Sequence, residues 1–130
     1  MSDRIIVTAA DMAVLNLLRG HAPLRQEMER AFVVSSALVP ADVATMNSTV
    51  RYVDETTGDE RTVTVVYPQD ADSSQGKISV LAPVGTALLG LSEGQSIEWD
   101  FPDGSRRRLT LEAVVHQPER VENSLLPRAP

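Results

Sequence analysis

The fold is decided by the stretch Lys77-Ile78-Ser79-Val80-Leu81-Ala82-Pro83-Val84-Gly85-Thr86-Ala87-Leu88-Leu89-Gly90. Its first four residues alternate between polar and apolar side chains, and Leu81 follows, which is typical of a short β-strand. Pro83 then fits the first turn of a helix, where its missing N–H group costs nothing, and Gly90 suits the end of that helix. The stretch therefore predicts a strand followed directly by one small helix.

Period-two patterns flank this stretch on both sides. The alternating apolar residues are Val50 and Tyr52; Val63, Val65 and Tyr67; Ile97, Trp99 and Phe101; and Leu109, Leu111, Ala113 and Val115. The turn-forming run Thr56-Thr57-Gly58-Asp59 separates the first two groups and predicts a hairpin. Residues 41–119 are thus predicted to form an antiparallel β-sheet domain with one small helix, followed by a frayed tail at 120–130.

Residues 1–40 show a helical period instead. Met12, Leu15 and Leu18 form one apolar stripe, and Leu24, Met28, Ala31 and Phe32 form a second. The run Gly20-His21-Ala22-Pro23 joins the two stripes. We predict a short antiparallel helical hairpin, coiled-coil-like, in an α+β protein. It is either a covering layer on one sheet face or an insertion arm whose tip carries Arg19, His21 and Arg25.

Composition excludes several classes of protein. The 130 residues include 18 acidic and 12 basic side chains, a net charge of −6, which disfavours binding to bare nucleic acid. Because there is no cysteine, disulfides and thiolate chemistry are impossible. No apolar run approaches the ~18 residues of a membrane span, and the apolar stretch at 5–7 is too short for a signal peptide. An intracellular, cytoplasmic protein without a membrane partner is expected.

The residue types that can carry chemistry favour structural interpretations here. Glu112 and His116 share a strand face but lie roughly 13 Å apart by strand rise, too far for a catalytic hydrogen bond. The run Asp70-Ala71-Asp72-Ser73-Ser74 lacks the further carboxylate of a calcium loop and is better explained by turn capping. No catalytic residue, metal or cofactor is predicted. In Arg106-Arg107-Arg108, at most Arg106 and Arg108 can share a strand face.

The run at 71–91 resembles the C-terminal domain of Gre-type transcript-cleavage factors. Glu93-Gly94-Gln95-Ser96-Ile97-Glu98-Trp99 and Pro102-Asp103-Gly104 fit the same pattern. The subfamily resembled is the regulator of nucleoside diphosphate kinase, through Thr45-Met46-Asn47-Ser48, Val66-Tyr67-Pro68, Ala82-Pro83-Val84-Gly85 and His116-Gln117-Pro118-Glu119. Control of that kinase is treated as a downstream effect, since nothing in the residues indicates a kinase-binding surface.

This resemblance implies an FKBP-like sheet domain that docks on RNA polymerase beside its secondary channel, as a monomer, with DNA contacted only through the polymerase complex. The docking positions of Gre factors, an Asp-Ser-Pro before the small helix, match Leu81, Ala82 and Pro83, and Val84 follows them. Gre factors carry acidic side chains at the arm tip that hold magnesium. Residues 19–25 contain no carboxylate, so stimulation of transcript cleavage is not expected.

Two alternatives remain open at this point. The FKBP resemblance also permits a peptidyl-prolyl isomerase, which needs an aromatic-lined pocket. Tyr52, Tyr67 and Trp99 lie on apolar strand faces, where they are expected to be part of the core. The other alternative is a weak DNA-binding module through Arg106–Arg108, against which the net charge argues.

Overall fold

A computed structural model describes residues 5–18 and 20–120 of the chain. Arg19 and the tail at 121–130 therefore lie outside the described residues. The elements are β1 (Ile5–Thr8), α1 (Ala9–Leu15), α2 (Ala22–Glu29), β2 (Ala31–Val34), β3 (Thr49–Asp54), β4 (Asp59–Val66), β5 (Lys77–Ser79), α3 (Pro83–Leu88), β6 (Ser96–Asp100) and β7 (Arg106–His116). Short 3-10 turns lie at Asn16–Leu18, Pro68–Asp70 and Ser73–Gln75.

The α+β class is confirmed, and the main sheet has the order β5-β4-β3-β7-β6. Strands β3 and β4 form the predicted hairpin, with Val50 opposite Val63. The expectation of a purely antiparallel sheet was wrong, because β5 runs parallel to β4, with Val65 opposite Ile78. The reason is the connection at 67–76, whose two 3-10 turns return the chain to the same end of the sheet before β5 begins.

The N-terminal region also departs from the prediction. The second helix ends at Glu29, and Ala31 to Val34 form β2, which pairs in parallel with β1. β-branched and aromatic side chains dominate Ile5–Thr8 and Ala31–Val34 and favour strands, and this preference prevails over the helical spacing of Ala31 and Phe32. Helices α1 and α2 have seven and eight residues, about one heptad each, so the coiled-coil prediction was wrong.

Two clusters of buried side chains form the core. The first lies between the main sheet and α3 and includes Tyr52, Leu88, Leu109 and Leu111. The second, which we call the helical-unit cluster, joins residues of both N-terminal helices to the sheet domain. Its buried members are Val7, Leu15, Leu24, Met28, Met46, Val65, Val80 and Leu89. Helices α1 and α2, which we call the helical unit, therefore pack on the sheet domain and do not project away from it.

Strand β1 is hydrogen-bonded to the residues just after α3. Ile6 donates its backbone N–H to the Gly90 carbonyl at 3.0 Å, and Gly90 has a φ of +83°. A Cβ at Gly90 would lie 2.7 Å from the Ile5 Cβ, so only glycine permits this approach. The predicted boundary between residues 40 and 41 stays a prediction. Within the described chain, no helix has the length and apolar character to cross a membrane.

Candidate functional site

The segment Leu81–Val84 runs from just after β5 into the first turn of α3. Each of its four residues is half-buried. Ala82 is extended, with φ −70° and ψ 150°, and precedes Pro83 at the first turn of α3. A residue before proline is driven to this conformation by the proline ring. Leu81 packs against the helical-unit cluster and Val84 against the first cluster, so the segment bridges the two parts of the core.

Hydrogen bonds with Thr86, which donates, and with Ser79, which accepts, fix the backbone of Leu81–Val84. The buried Thr86 hydroxyl donates to the carbonyls of Val80 at 2.5 Å and Ala82 at 3.1 Å. The Ser79 hydroxyl accepts the Leu81 N–H at 3.0 Å, and the Ser79 carbonyl accepts the Ala82 N–H at 3.0 Å. The segment is therefore held in a single conformation from both of its ends.

Gly85 allows α3 to pack directly on the backbone that follows β5. A Cβ at Gly85 would lie 2.2 Å from the Ser79 carbonyl oxygen and 3.1 Å from the Val80 Cα. Both are backbone atoms and cannot rotate away. The orientation of Pro83 and Val84 thus depends on a hydrogen atom in place of a side chain at Gly85.

The predicted tip residues lie at the start of α2. His21 occupies the N-cap position, is exposed, and makes no side-chain capping hydrogen bond. Arg25 lies one turn further along α2, also exposed, and its N–H donates to the His21 carbonyl at 2.9 Å. The structure therefore brings His21 and Arg25 to one end of the helical unit, whereas Arg19 lies outside the described residues. Helix α2 contacts α3, whose first turn contains Pro83 and Val84.

A polar cluster joins α1 to the sheet domain, and sequence reasoning anticipated its Thr8–Asp11 cap but missed its long-range contacts. An Asp11 carboxylate oxygen accepts the Met46 N–H at 3.2 Å, and the Asp11 N–H donates to the Thr8 hydroxyl at 3.0 Å. The nearby Glu119 carboxylate accepts the Thr45 hydroxyl at 2.6 Å. Burial, together with the Glu119 charge, raises the pKa of Asp11 to about 6. The same two carboxylates and burial raise the pKa of Tyr67.

Comparison with known proteins decides the family. The family model described as "Transcription elongation factor, GreA/GreB, C-term" matches residues 39–115. The chain belongs to the GreA/GreB family. The family resemblance seen in the sequence is thereby confirmed, and the matched range contains the whole Leu81–Val84 segment.

Individual GreA/GreB relatives extend the match beyond this domain. The chain is 42% identical over 103 residues to "Regulator of nucleoside diphosphate kinase" from Escherichia coli (strain K12), which covers 79% of this chain and 76% of that protein. It is 36% identical over 85 residues to "Transcription elongation factor GreA" from Azorhizobium caulinodans, covering 65% of this chain and 54% of GreA.

A solved structure has the same fold. "Prokaryotic transcription elongation factor GreA/GreB from Nitrosomonas europaea" is 40% identical, with a TM-score of 0.69. The alignment covers 88% of this chain and 100% of that one, so it includes the helical unit as well as the sheet domain. The GreA/GreB fold therefore accounts for nearly the whole described chain.

A cleft lined by Tyr52 and Phe101 is a candidate for the aromatic-lined pocket that an isomerase needs. It has a volume of about 230 Å³, below the usual range for ligand pockets of roughly 300–1,000 Å³. Its lining includes Asp54, Arg61 and Arg107 beside Tyr52 and Phe101. Arg107 lies 4.5 Å from the Phe101 ring centre and 3.4 Å from the Asp54 carboxylate. Charged side chains thus fill a space that an isomerase would keep apolar.

The basic run on β7 is neutralised by acidic neighbours. Arg106 binds Glu98 at 3.0 Å, and Arg108 approaches Glu98 at 3.7 Å, so the prediction that these two arginines share a face is confirmed. Arg107 faces the other way, over Phe101. With every arginine of the run paired to carboxylates, the surface offers little to phosphates.

The acidic loop is a capped turn, as predicted. Asp72 accepts the Ser74 N–H at 3.0 Å and the Ser74 hydroxyl at 2.6 Å, and these bonds lower the pKa of Asp72. Among the residues that the structure describes, no group of three or more His, Asp or Glu side chains could hold a metal ion. His116 and Glu112 are exposed on β7, and Glu112 binds Arg51 at 3.2 Å.

We expect Gly85→Ala to destabilise the protein by about 3 kcal/mol, because overpacking against the fixed Ser79 carbonyl forces α3 to move. Chemical denaturation measures this change. Gly20→Ala is the matched control, since no atom lies within 4 Å of a Cβ at Gly20. Equal stability of the two variants would contradict the close approach at Gly85.

We expect the stability of the wild-type protein to rise as the pH falls from 7 to 4. The pKa of Asp11 is about 6 in the folded protein and close to 3.8 when unfolded, so the folded state takes up a proton first. Asp11→Asn keeps an acceptor for the Met46 N–H but carries no charge. The variant should be more stable at pH 7 by about 1 to 2 kcal/mol and should lose the rise between pH 6 and 4.

Denaturation midpoints across this pH range test the prediction for Asp11. Asp72→Asn is the control, because Asp72 is a half-buried turn residue whose pKa is lowered. That variant should retain the rise. If Asp11→Asn shows the wild-type slope between pH 6 and 4, another group is responsible and the assignment to Asp11 is wrong.

Proposed function

We propose that this protein is a non-catalytic transcription regulator that binds RNA polymerase near the secondary channel and competes with Gre-type factors without stimulating transcript cleavage. The proposal rests on one observation above all. A GreA/GreB C-terminal domain holds the backbone of Leu81–Val84 by hydrogen bonds, and these residues match, by the sequence resemblance, the docking positions of Gre factors.

The geometry of Leu81–Val84 suits a docking surface. Its apolar side chains are half-buried, so part of each remains available to a partner. The hydrogen bonds from Thr86 and Ser79 already order its backbone, which lowers the entropic cost of association. Leu81 and Ala82 replace an acidic and a hydroxyl residue of the Gre pattern, so the contact here is apolar where Gre factors use polar groups.

The residue types at the tip of the helical unit support the proposal that the protein does not stimulate transcript cleavage. The tip run at 19–25 offers basic and apolar side chains but no carboxylate, and magnesium requires oxygen ligands. Helix α2 is eight residues, about 12 Å long, and its buried face packs on the sheet domain. We assign Arg19, His21 and Arg25 to contacts at the channel entrance, where a compact unit excludes other factors by occupying their place.

The name of the Escherichia coli relative refers to a nucleoside diphosphate kinase. For this chain we place any such effect downstream of transcription. The surface that the sequence pattern and the fold single out is the one at Leu81–Val84, and it lies in the domain shared with elongation factors.

A competition titration tests the proposed function. The purified protein is titrated against a labelled Gre factor on core RNA polymerase, and transcript cleavage is followed in parallel. We expect displacement of the label with no gain in cleavage. Failure to displace it at near-millimolar concentration would refute polymerase docking, and stimulated cleavage would refute the assignment at the tip.

The docking segment is tested separately by Pro83→Ala. We expect about fivefold weaker polymerase binding, near 1 kcal/mol, because the variant loses ring contacts and loosens the start of α3. Pro68→Ala is the matched control, since Pro68 is also half-buried and also begins a helical turn, on a different part of the surface. Circular dichroism confirms that both variants fold, and equal affinity for the two would remove Pro83 from the docking surface.

A further inference from the structure

We propose that the outer edge of β6 (Ser96–Asp100) binds an extended peptide segment of a partner protein as an added strand, with basic side chains at alternate positions of that segment. This surface is distinct from Leu81–Val84. The proposal does not depend on polymerase docking through that segment.

The backbone of β6 is available on one side. Strand β6 is the last in the main sheet, and among the described strands it pairs with β7 alone. The Phe101 N–H donates to the Ser105 carbonyl at 2.8 Å, so the odd-numbered residues of β6 direct their backbone groups toward β7. Ser96, Glu98 and Asp100 therefore direct theirs outward. Within residues 5–18 and 20–120, no backbone hydrogen bond from another element reaches these three residues.

A cleft of about 710 Å³ runs along this edge. It is lined by residues 94–99, by Glu27 and Arg30 at the end of α2, and by Arg106 and Arg108 of β7. Arg30 is held in place by Glu27 through hydrogen bonds of 3.2 and 2.7 Å. An added strand lies about 4.8 Å from its neighbour, and five residues of it extend about 17 Å. The cleft thus provides room beside β6 for one extended segment.

The charge pattern specifies the partner. On the exposed face, Glu55 lies 3.8 Å from Arg108, and Arg108 lies 3.7 Å from Glu98. Arg106 of β7 in turn lies 3.0 Å from Glu98 and 3.6 Å from Asp100. Acidic, basic and acidic side chains therefore alternate from the end of β3 across β7 to β6. A strand added beside β6 would place its side chains opposite Glu98 and Asp100, where lysine or arginine continues the alternation. Its remaining side chains would meet Ile97 and Trp99, which are half-buried and apolar.

A second copy of this chain fits the edge poorly. Antiparallel pairing of two β6 strands about their centre would put Glu98 directly opposite Glu98 of the other copy. Parallel pairing in register would align both Glu98 and Asp100 with their counterparts. Like charges directly opposite each other destabilise a strand pair, so the edge favours a basic partner over itself.

Trp99 provides a direct test, because it is the chain's single tryptophan and lines the cleft. The probe is a capped five-residue peptide in which lysine alternates with valine. Its matched control has glutamate in place of each lysine. We expect the lysine peptide to shift Trp99 emission and to slow amide exchange at Glu98 and Asp100, and the glutamate peptide to bind at least about tenfold more weakly. Equal binding of the two peptides would overturn the proposal.

Glu98→Pro and Glu98→Ala separate backbone pairing from charge. Proline removes an N–H that faces away from β7, so pairing within the sheet is retained. Alanine removes the carboxylate but keeps the N–H. We expect about threefold weaker binding for alanine and a further loss of about tenfold for proline. Equal affinities of the two variants, or unchanged exchange at Glu98 and Asp100 in the wild-type protein with peptide bound, would refute strand addition. The exchange measurement decides the matter even if the proline variant fails to fold.

Discussion

The contact between Gly85 and the Ser79 carbonyl is the constraint on which the rest of the structure depends. It lets the first turn of α3 rest directly on the backbone after β5, and the Thr86 hydroxyl then bonds the Val80 carbonyl beside it. From this position α3 supplies Leu88 to one core cluster, while Leu89 just after it joins the other. The half-buried segment Leu81–Val84 thus lies where the two clusters of the core meet.

The helical unit is bound to that core by apolar and by polar contacts of different character. Leu15, Leu24 and Met28 bury their side chains among residues of the sheet domain, which is favourable at any pH. Asp11 makes a hydrogen bond across the same boundary, but burial of its carboxylate near Glu119 disfavours its charged form. The apolar contacts therefore hold the helical unit on the sheet domain at any pH, whereas the contribution of Asp11 to stability depends on pH. A protein that presents one surface from the sheet domain and another from the helical unit keeps their relative positions through these contacts.

Sequence patterns predicted the main sheet well and the N-terminal region poorly. The alternation at Val50 and Tyr52 and the proline before Val84 reported directly on local structure, because each acts within a few residues. The spacing of Ala31 and Phe32 suggested a helix, yet both belong to a strand that pairs with Ile5 and Ile6. A four-residue strand leaves too little pattern to outweigh a helical spacing, and its partner lies more than twenty residues away. The parallel pairing of β5 escaped prediction for the same reason.

By itself, the sequence determined the class of the domain, its family, the place of the Leu81–Val84 segment before the small helix and the absence of carboxylates from residues 19–25. These follow from residue types and from spacings of at most a few residues. Only the tertiary structure decided that the helical unit packs on the sheet domain, that Asp11 and Glu119 approach each other, and that the edge of β6 faces an open cleft. The physical reason is that each of these depends on groups far apart in the chain, whose proximity arises only when the two core clusters form together.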